Sequence, residues 1–398
     1  ISKTIYSSCM STEIKAAEIC SEYCQSDEII AFGALTETRV DFGSGAISRL
    51  ADHVKSLGGS KVLLVTDPGI AEAGHMEWVM MILNNAEIDV LTYTDVRENP
   101  TTEDVSSCVN MAQGQSINLI VGLGGGSSLD TAKGCNFILT NGGEMKDYWG
   151  SGKADKEMLP FIAIPTTSGT GSECQSYAII ADSETHIKMA CGDKKAAARI
   201  AILDPDLTMT QPSKVTSHTG IDALSHAIET CVTTKRNDIS YQYSKLAFNL
   251  LNESFESVLK DPKDIQARSK MILGAAYAGT AIESSMLGAA HAAANPLTSQ
   301  FGIIHGAAVG VMLPHVIRYN SEDFGTKNIY ADLYDGDLSN RVNDLLDIAG
   351  ISSELSSYGV ERGNFQALSK DASSQWTGTF NPRTVGVDEF ADLYESAF

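Results

Sequence analysis

Basic charge is scarce in this chain. Across 398 residues, 29 Lys and Arg stand against 50 Asp and Glu, a formal net charge of −21. Phosphate backbones recruit basic surfaces, so this balance speaks against a nucleic-acid partner and equally against an anionic membrane surface. Its plain meaning is solubility. Long apolar runs are missing too: none approaches the ~20 residues a membrane span requires. The opening stretch ISKTIYSSCM lacks the charged start and apolar core of a secretory leader. The eight cysteines show no short paired spacing apart from Cys20 and Cys24, so a zinc ribbon, which needs a second pair, is excluded. A disulfide framework belongs to small secreted chains. Reduced, mostly buried thiols in a cytoplasmic protein are expected.

What is present suits two ordinary domains. Hydrophobic residues make up 43% of the chain and Gly contributes 34 residues, enough for real cores. Residues 1–30 read as a polar, partly helical leader with no assigned role. Beyond them KVLLVTD (61–67), IDVLTYT (88–94), INLIVGL (117–123) and FIAIPTT (161–167) are short, β-branched and apolar, as strands buried on both faces are. Helical patterns lie between them, at 47–57 and after Thr101, so βαβ units on a parallel sheet are expected. Past Asp204-Pro205 the strand-like runs give way to Ala/Leu/Ser-rich stretches with i, i+3, i+4 apolar spacing, such as IDALSHAIETCV and ARSKMILGAAYAGTAI. Gln211-Pro212-Ser213 interrupts any continuing helix. The expected organisation is an α/β dinucleotide-binding domain with a parallel sheet over 31–210 and an all-α metal-binding domain over 211–398.

INLIVGLGGGSSLDTAKG is a strand, a glycine turn and a helix start in succession. Gly124, Gly125 and Gly126 let the backbone come close to a ligand. Ser127 and Ser128 are placed to cap the helix, whose free N–H groups and dipole favour an anion such as a pyrophosphate. A triple glycine between strand and helix also makes an ordinary tight turn. A second small-residue turn, Ser168-Gly169-Thr170-Gly171-Ser172-Glu173, follows the strand at 161–167, and two such turns together favour a dinucleotide site. Asp67 closes the strand at 61–67. There a carboxylate accepts hydrogen bonds from a ribose diol and repels a 2′-phosphate, or it caps a helix before Pro68.

Asp222 and His226 stand four residues apart in a helical pattern, one turn apart on one face. His291 and His305 lie fourteen residues apart in Ala/Gly-rich surroundings. Three imidazoles and a carboxylate suit a divalent transition metal with room left for substrate, although spacing alone does not bring the two segments together, and a lone histidine on an apolar helix is more often a core residue. His53, His75, His186, His218 and His315 are read as structural or surface residues.

Taken together, these stretches resemble the iron-containing (group III) alcohol dehydrogenase family. GGGSSLDTAKG resembles its glycine loop and AIPTTSGTGSE its second turn. ILDPDL resembles the element before its second domain, IDALSHAIE and HAAANPLTSQFGIIHG its metal signatures, and NPRTVGVDEFADLY its C-terminal pattern. The likeness runs in order from about residue 33 to the end. It implies that Asp222, His226, His291 and His305 bind the metal, Fe2+ or another divalent ion such as Zn2+. It implies that Gly124, Gly125, Gly126 and Ser127 hold the pyrophosphate of NAD, with Thr166, Thr167, Thr170 and Ser172 along the nucleotide and Lys188 near the ribose. Asp67 then favours NAD over NADP, while Asp130 and Lys133 hold loop geometry. The family often carries a second histidine four residues after the first ligand of HxxxHP; here Asn295 stands in that place, in the substrate pocket or capping the turn before Pro296.

The implied activity is reversible hydride transfer between NAD(H) and a small alcohol, aldehyde or ketone by a cytoplasmic homodimer or higher oligomer. An alternative is a hydroxyacid–oxoacid transhydrogenase that keeps NAD bound.

Overall fold

In the computed structural model residues 29–31, 38–185 and 187–398 are described. Most of the expected leader, Cys9, Cys20, Cys24 and His186 lie outside them. The first domain is a seven-stranded sheet in the order β1-β2-β10-β7-β5-β3-β4. Its strands are β1 (Ile29–Ala31), β2 (Arg39–Phe42), β3 (Lys61–Val65), β4 (Asp89–Tyr93), β5 (Leu119–Gly124), β7 (Phe161–Pro165) and β10 (Ile200–Leu203). Only β1 is antiparallel to its neighbour. A small sheet, β6 (Gly150–Ser151), β9 (Lys188–Gly192) and β8 (Tyr177–Ala181), stands apart. Strand β1 begins inside the stretch read as leader, at Ile29.

The central strands are apolar throughout because both their faces are covered. Along β3, Val62 and Leu64 join one core while Leu63 and Val65 join the opposite one, the alternation a pleated strand imposes. Helices α1 (Leu50–Ser56), α2 (Pro68–Glu72), α3 (His75–Asn85), α4 (Thr102–Ala112) and α5 (Gly126–Asn141) connect the strands. Leu50, Val54, Val79 and Leu83 of α1 and α3 close one face, and Val105, Cys108, Leu129 and Ala132 of α4 and α5 close the other.

This topology positions the site. After β3 the chain steps to β4 on one side, whereas after β5 it steps to β7 on the other. The adjacent strands β3 and β5 therefore flank a switch point, and a crevice opens at their carboxyl ends, where open α/β sheets bind ligands. Asp67 lies just past β3 and Gly125 just past β5.

The second domain is helical: α6 (Ser213–Thr230), α7 (Asp238–Lys260), α8 (Ile265–Ser285), α9 (Ala289–Phe301), α10 (His305–Asn320), α11 (Phe324–Leu333), α12 (Leu338–Ala349), α13 (Phe365–Ser374) and α14 (Val387–Ser396). Helix α6 starts directly after Pro212, which takes its N-cap position. One apolar core spans these helices. Glycines let the domains meet closely. A Cβ on Gly171 would lie 2.5 Å from Cα of Gly279 in α8, and one on Gly169 would lie 2.6 Å from Cβ of Thr219 in α6. Among the described residues no helix is long and apolar enough to cross a membrane. Cys108, Cys135, Cys174, Cys191 and Cys231 are free and buried.

Candidate active site

A cleft of about 920 Å³ runs between the domains, at the upper end of the ~300–1,000 Å³ usual for ligand sites. Asp67, Gly125, Gly126 and Ser127 line one end, Thr166, Thr167, Thr170, Ser172 and Lys188 its flank, and Asp222, His226, His291, Asn295 and His305 the other end.

At the first end, Gly124 takes φ 144°, a conformation open to glycine. A side chain there would also lie 2.5 Å from Ser128 Oγ. Helix α5 begins at Gly126 with no side-chain cap. The two serines expected to cap it do otherwise: Ser128 Oγ donates to Asp67 Oδ2 at 3.0 Å, and Ser127 Oγ accepts from the Asn99 amide at 3.3 Å. The reason is reach, since Asp67 across the switch point offers Ser128 a carboxylate. The start of α5 faces the cleft with no side chain capping its free N–H groups, the arrangement that receives a phosphate, although the Asp67 carboxylate stands beside its first turn. Asp67 caps α2, accepting from the Ile70 amide at 3.1 Å, and also borders the cleft.

The second turn is tied to the first from below. The buried Lys133 amine donates to Ser172 O (2.6 Å), Ser172 Oγ (2.7 Å) and Tyr177 O (2.9 Å). Ser172 Oγ in turn donates to Asp130 Oδ1 at 2.6 Å. Burial lowers the Lys133 pKa and raises that of Asp130. The Ser172 hydroxyl is thus engaged within the protein, whereas the buried Thr166 Oγ1 and Ser168 Oγ have no partner. Lys188 Nζ donates to Asn99 Oδ1 at 3.0 Å.

At the far end, α6 presents Asp222 and His226 one turn apart, α9 contributes His291, and α10 begins with His305. Asp222 Oδ1 lies 3.5 Å from His226 Nε2, 3.6 Å from His291 Nε2 and 3.9 Å from His305 Nε2. Donor atoms of Asp222, His226 and His291 lie within 4.8 Å of one another. The fold therefore brings together the two segments that spacing left apart. Asp222 Oδ1, His226 Nδ1 and His291 Nε2 are buried without a hydrogen-bond partner. Buried polar atoms are rarely left so, and this N/O set fits a divalent transition metal.

Charge in the cluster follows from burial and contact. Burial alone would raise Asp222, but His226, His291 and His305 hold it well below the usual carboxylate range. Burial lowers His226 to about 4 and His305 to about 3. Burial opposes protonation of His291 as well, yet Asp222 and Glu229 prevail and raise it to about 9.

Glu229 escaped the sequence reading. Its Oε2 lies 2.6 Å from His291 Nδ1, and its carboxylate accepts from the Gly288 (3.1 Å) and Ala290 (2.7 Å) amides. It stands seven residues after Asp222 and three after His226, so the stripe 222-226-229 on one helix face was a signal available in the sequence. Gln375, Trp376 and Thr377 were missed as well. They line the cleft beside Asn295, whose Nδ2 donates to Gln375 Oε1 at 3.0 Å. Asn295 caps no turn, because α9 continues through Pro296 to Phe301.

A switch-point cleft in an α/β domain, closed by a helical domain carrying a carboxylate–imidazole cluster, defines a class of two-domain nucleotide- and metal-dependent proteins. Comparison with known sequences and structures narrows it. The sequence pattern described as "Iron-containing alcohol dehydrogenase" matches residues 37–205, and "Fe-containing alcohol dehydrogenase family, C-terminal" matches 216–398. Alcohol dehydrogenase 4 of Schizosaccharomyces pombe is 33% identical over 365 residues, covering 89% of this chain and 86% of that one. The NAD-dependent methanol dehydrogenase of Bacillus methanolicus is 31% identical over 368 residues, covering 89% and 97%. An alcohol dehydrogenase structure from Oenococcus oeni superposes with a TM-score of 0.87 at 27% identity, covering 90% of this chain and 98% of that one. The chain belongs to the iron-containing alcohol dehydrogenase family, and its activity is NAD-dependent oxidoreduction of an alcohol.

Proposed function

We propose that the cleft binds NAD(H) with its diphosphate at the start of α5 and its nicotinamide directed at the cluster. In this reading Asp222, His226, His291 and His305 hold one Fe(II) ion in the cell, with zinc or another divalent ion able to replace it. The observation that carries it is the pair of features at the ends of one cavity: an uncapped helix start, and a buried carboxylate–imidazole cluster in which Asp222 Oδ1 and His291 Nε2 approach each other without hydrogen-bond partners. When bound, the ion would supply Lewis acidity toward an alcohol oxygen and NAD would supply a hydride acceptor.

The chain's own residues do the rest. Glu229 holds Nδ1 of His291, which fixes the tautomer and turns Nε2 toward Asp222. Gly124, Gly125, Gly126 and Ser127 form the floor under the diphosphate, with Thr166, Thr167, Thr170 and Ser172 along the nucleotide and Lys188 by the ribose. The Asp67 carboxylate disfavours a 2′-phosphate. Met286, Leu287, Ile304 and Trp376 line the same cleft with Asn295 and Gln375, a mostly apolar lining that suits a small alcohol or its carbonyl, while the Lys188 charge acts on both Asp222 and His305. Asn295 has no titration near neutral pH, so the proton leaves by another route. The five described cysteines, all buried and outside any disulfide, support a cytoplasmic setting, and the outer edge of β1, unpaired among the described residues, supports assembly with a second copy.

A panel of small primary alcohols and aldehydes, followed at the NADH absorbance band, tests this reading. Turnover should vanish on chelation and return with Fe(II). Full turnover after complete chelation would overturn it.

A further inference from the structure

Arg268 lies in the first turn of α8 and is 1% exposed. A guanidinium this deep normally faces a carboxylate, because an unpaired buried charge is costly. Among the described residues no carboxylate pairs with it. Its bonds go to neutral acceptors instead: Nε donates to Pro262 O at 2.9 Å, while Nη1 donates to Gln211 Oε1 and Thr216 Oγ1, each at 3.1 Å. Nη2 has no partner.

Gln211 sits on the connection between the two domains. The Thr216 hydroxyl, in the first turn of α6, also donates to its Oε1 at 3.2 Å. With two donors aimed at that oxygen, the amide has one sensible orientation. Its Nε2 then faces the nucleotide domain and donates to the Thr166 carbonyl at 2.7 Å. Thr166 N bonds back to Gly124 O at 3.0 Å, so a single chain of contacts runs from α8 through the connection to both glycine turns. Gln211 and Thr166 both line the cleft.

We propose that Arg268 is a positioning residue for the dinucleotide: by fixing the orientation of the Gln211 amide it holds the Thr166 turn, and with it the glycine turn, at a set distance from the helix that carries Asp222 and His226. A neutral acceptor at 211 is what makes this work. A carboxylate would satisfy Arg268 better but has no N–H to offer Thr166. This inference rests on the cleft being the NAD(H) site.

The decisive variant is Gln211→Glu. It gives Arg268 its missing counter-charge, so thermal stability should be equal or higher. It also sets two oxygens against each other at Thr166, so the NADH dissociation constant from fluorescence titration should rise about tenfold, with metal content unchanged. Arg268→Met should weaken NADH binding similarly, and Arg268→Lys should recover part of the loss. If Gln211→Glu binds NADH as the parent does, or if affinity across these variants simply follows thermal stability, the positioning role is wrong. A parent enzyme that binds no NADH would overturn the nucleotide reading and this inference with it.

Discussion

His291 Nδ1 and Glu229 Oε2 lie 2.6 Å apart, both buried, one residue from α9 and the other from α6. The contact decides which ring nitrogen of His291 is available to a metal. Carboxylates behind ligating histidines typically account for 10- to 100-fold in metal affinity. Glu229→Gln, which keeps the shape and removes the charge, should therefore weaken metal binding by roughly 10- to 100-fold in competition with a chelator. Unchanged affinity would make Glu229 a cap for α9 and nothing more.

Asp67 has structural contacts and a charge that one substitution separates. Its Oδ1 caps α2 and its Oδ2 accepts from Ser128 Oγ, while its charge borders the cleft. Asp67→Asn keeps a capping oxygen and should leave thermal stability nearly unchanged, while narrowing the preference for NADH over NADPH about tenfold, as loss of one charge repulsion implies. Equal use of both cofactors by the unmodified enzyme would reduce Asp67 to its cap.

Glu173, buried beside the second turn, has its carboxyl raised by burial to about 7. The folded protein therefore holds this proton more tightly than the unfolded chain, whose value is 4.5. Stability from this group is fully present below that lower value, falls as pH rises through the window up to about 7, and is level above it. The loss is on the order of 3 kcal/mol. Glu173→Gln should flatten urea-denaturation stability between pH 5 and 7 and exceed the parent at pH 8. Parallel pH profiles for the two proteins would contradict this.

Asn295 stands one helical turn after His291 and is bonded to Gln375. Asn295→His introduces a titrating group into the pocket wall and removes that amide contact. Metal content should hold, while the pH–rate profile gains a limb near the imidazole range or the order of preferred alcohols changes. Superimposable kinetics across pH and substrates would assign the position a packing role only.

Much of this was legible because the strongest signals are local. The apolar runs at 61, 117 and 161 became buried strands, whereas the run at 88 became the edge strand β4, which is only half-buried because nothing pairs beyond it among the described residues. Pro212 stands directly before α6, where the run of helices begins. Strands β2 and β10 were not picked out, since they are four-residue pieces whose pairing is long-range. Asp222 with His226 could be read from helical spacing, but their meeting with His291 and His305 is a property of how α6, α9 and α10 pack. Gln375 and Trp376 come to the cleft from far along the chain and carry no periodic mark. Ser127 and Ser128 misled because capping chemistry was judged within the helix, whereas Asp67, sixty-one positions away from Ser128, offered the better partner.

The central claim is that the buried cluster is one metal site serving one reaction. Elemental analysis of the purified protein and of His291→Ala, alongside alcohol-dependent NADH formation, tests it most directly. The account predicts about one divalent transition ion per chain in the parent, with metal and turnover lost together in the variant. Undiminished metal in His291→Ala, or full turnover without metal, would contradict it.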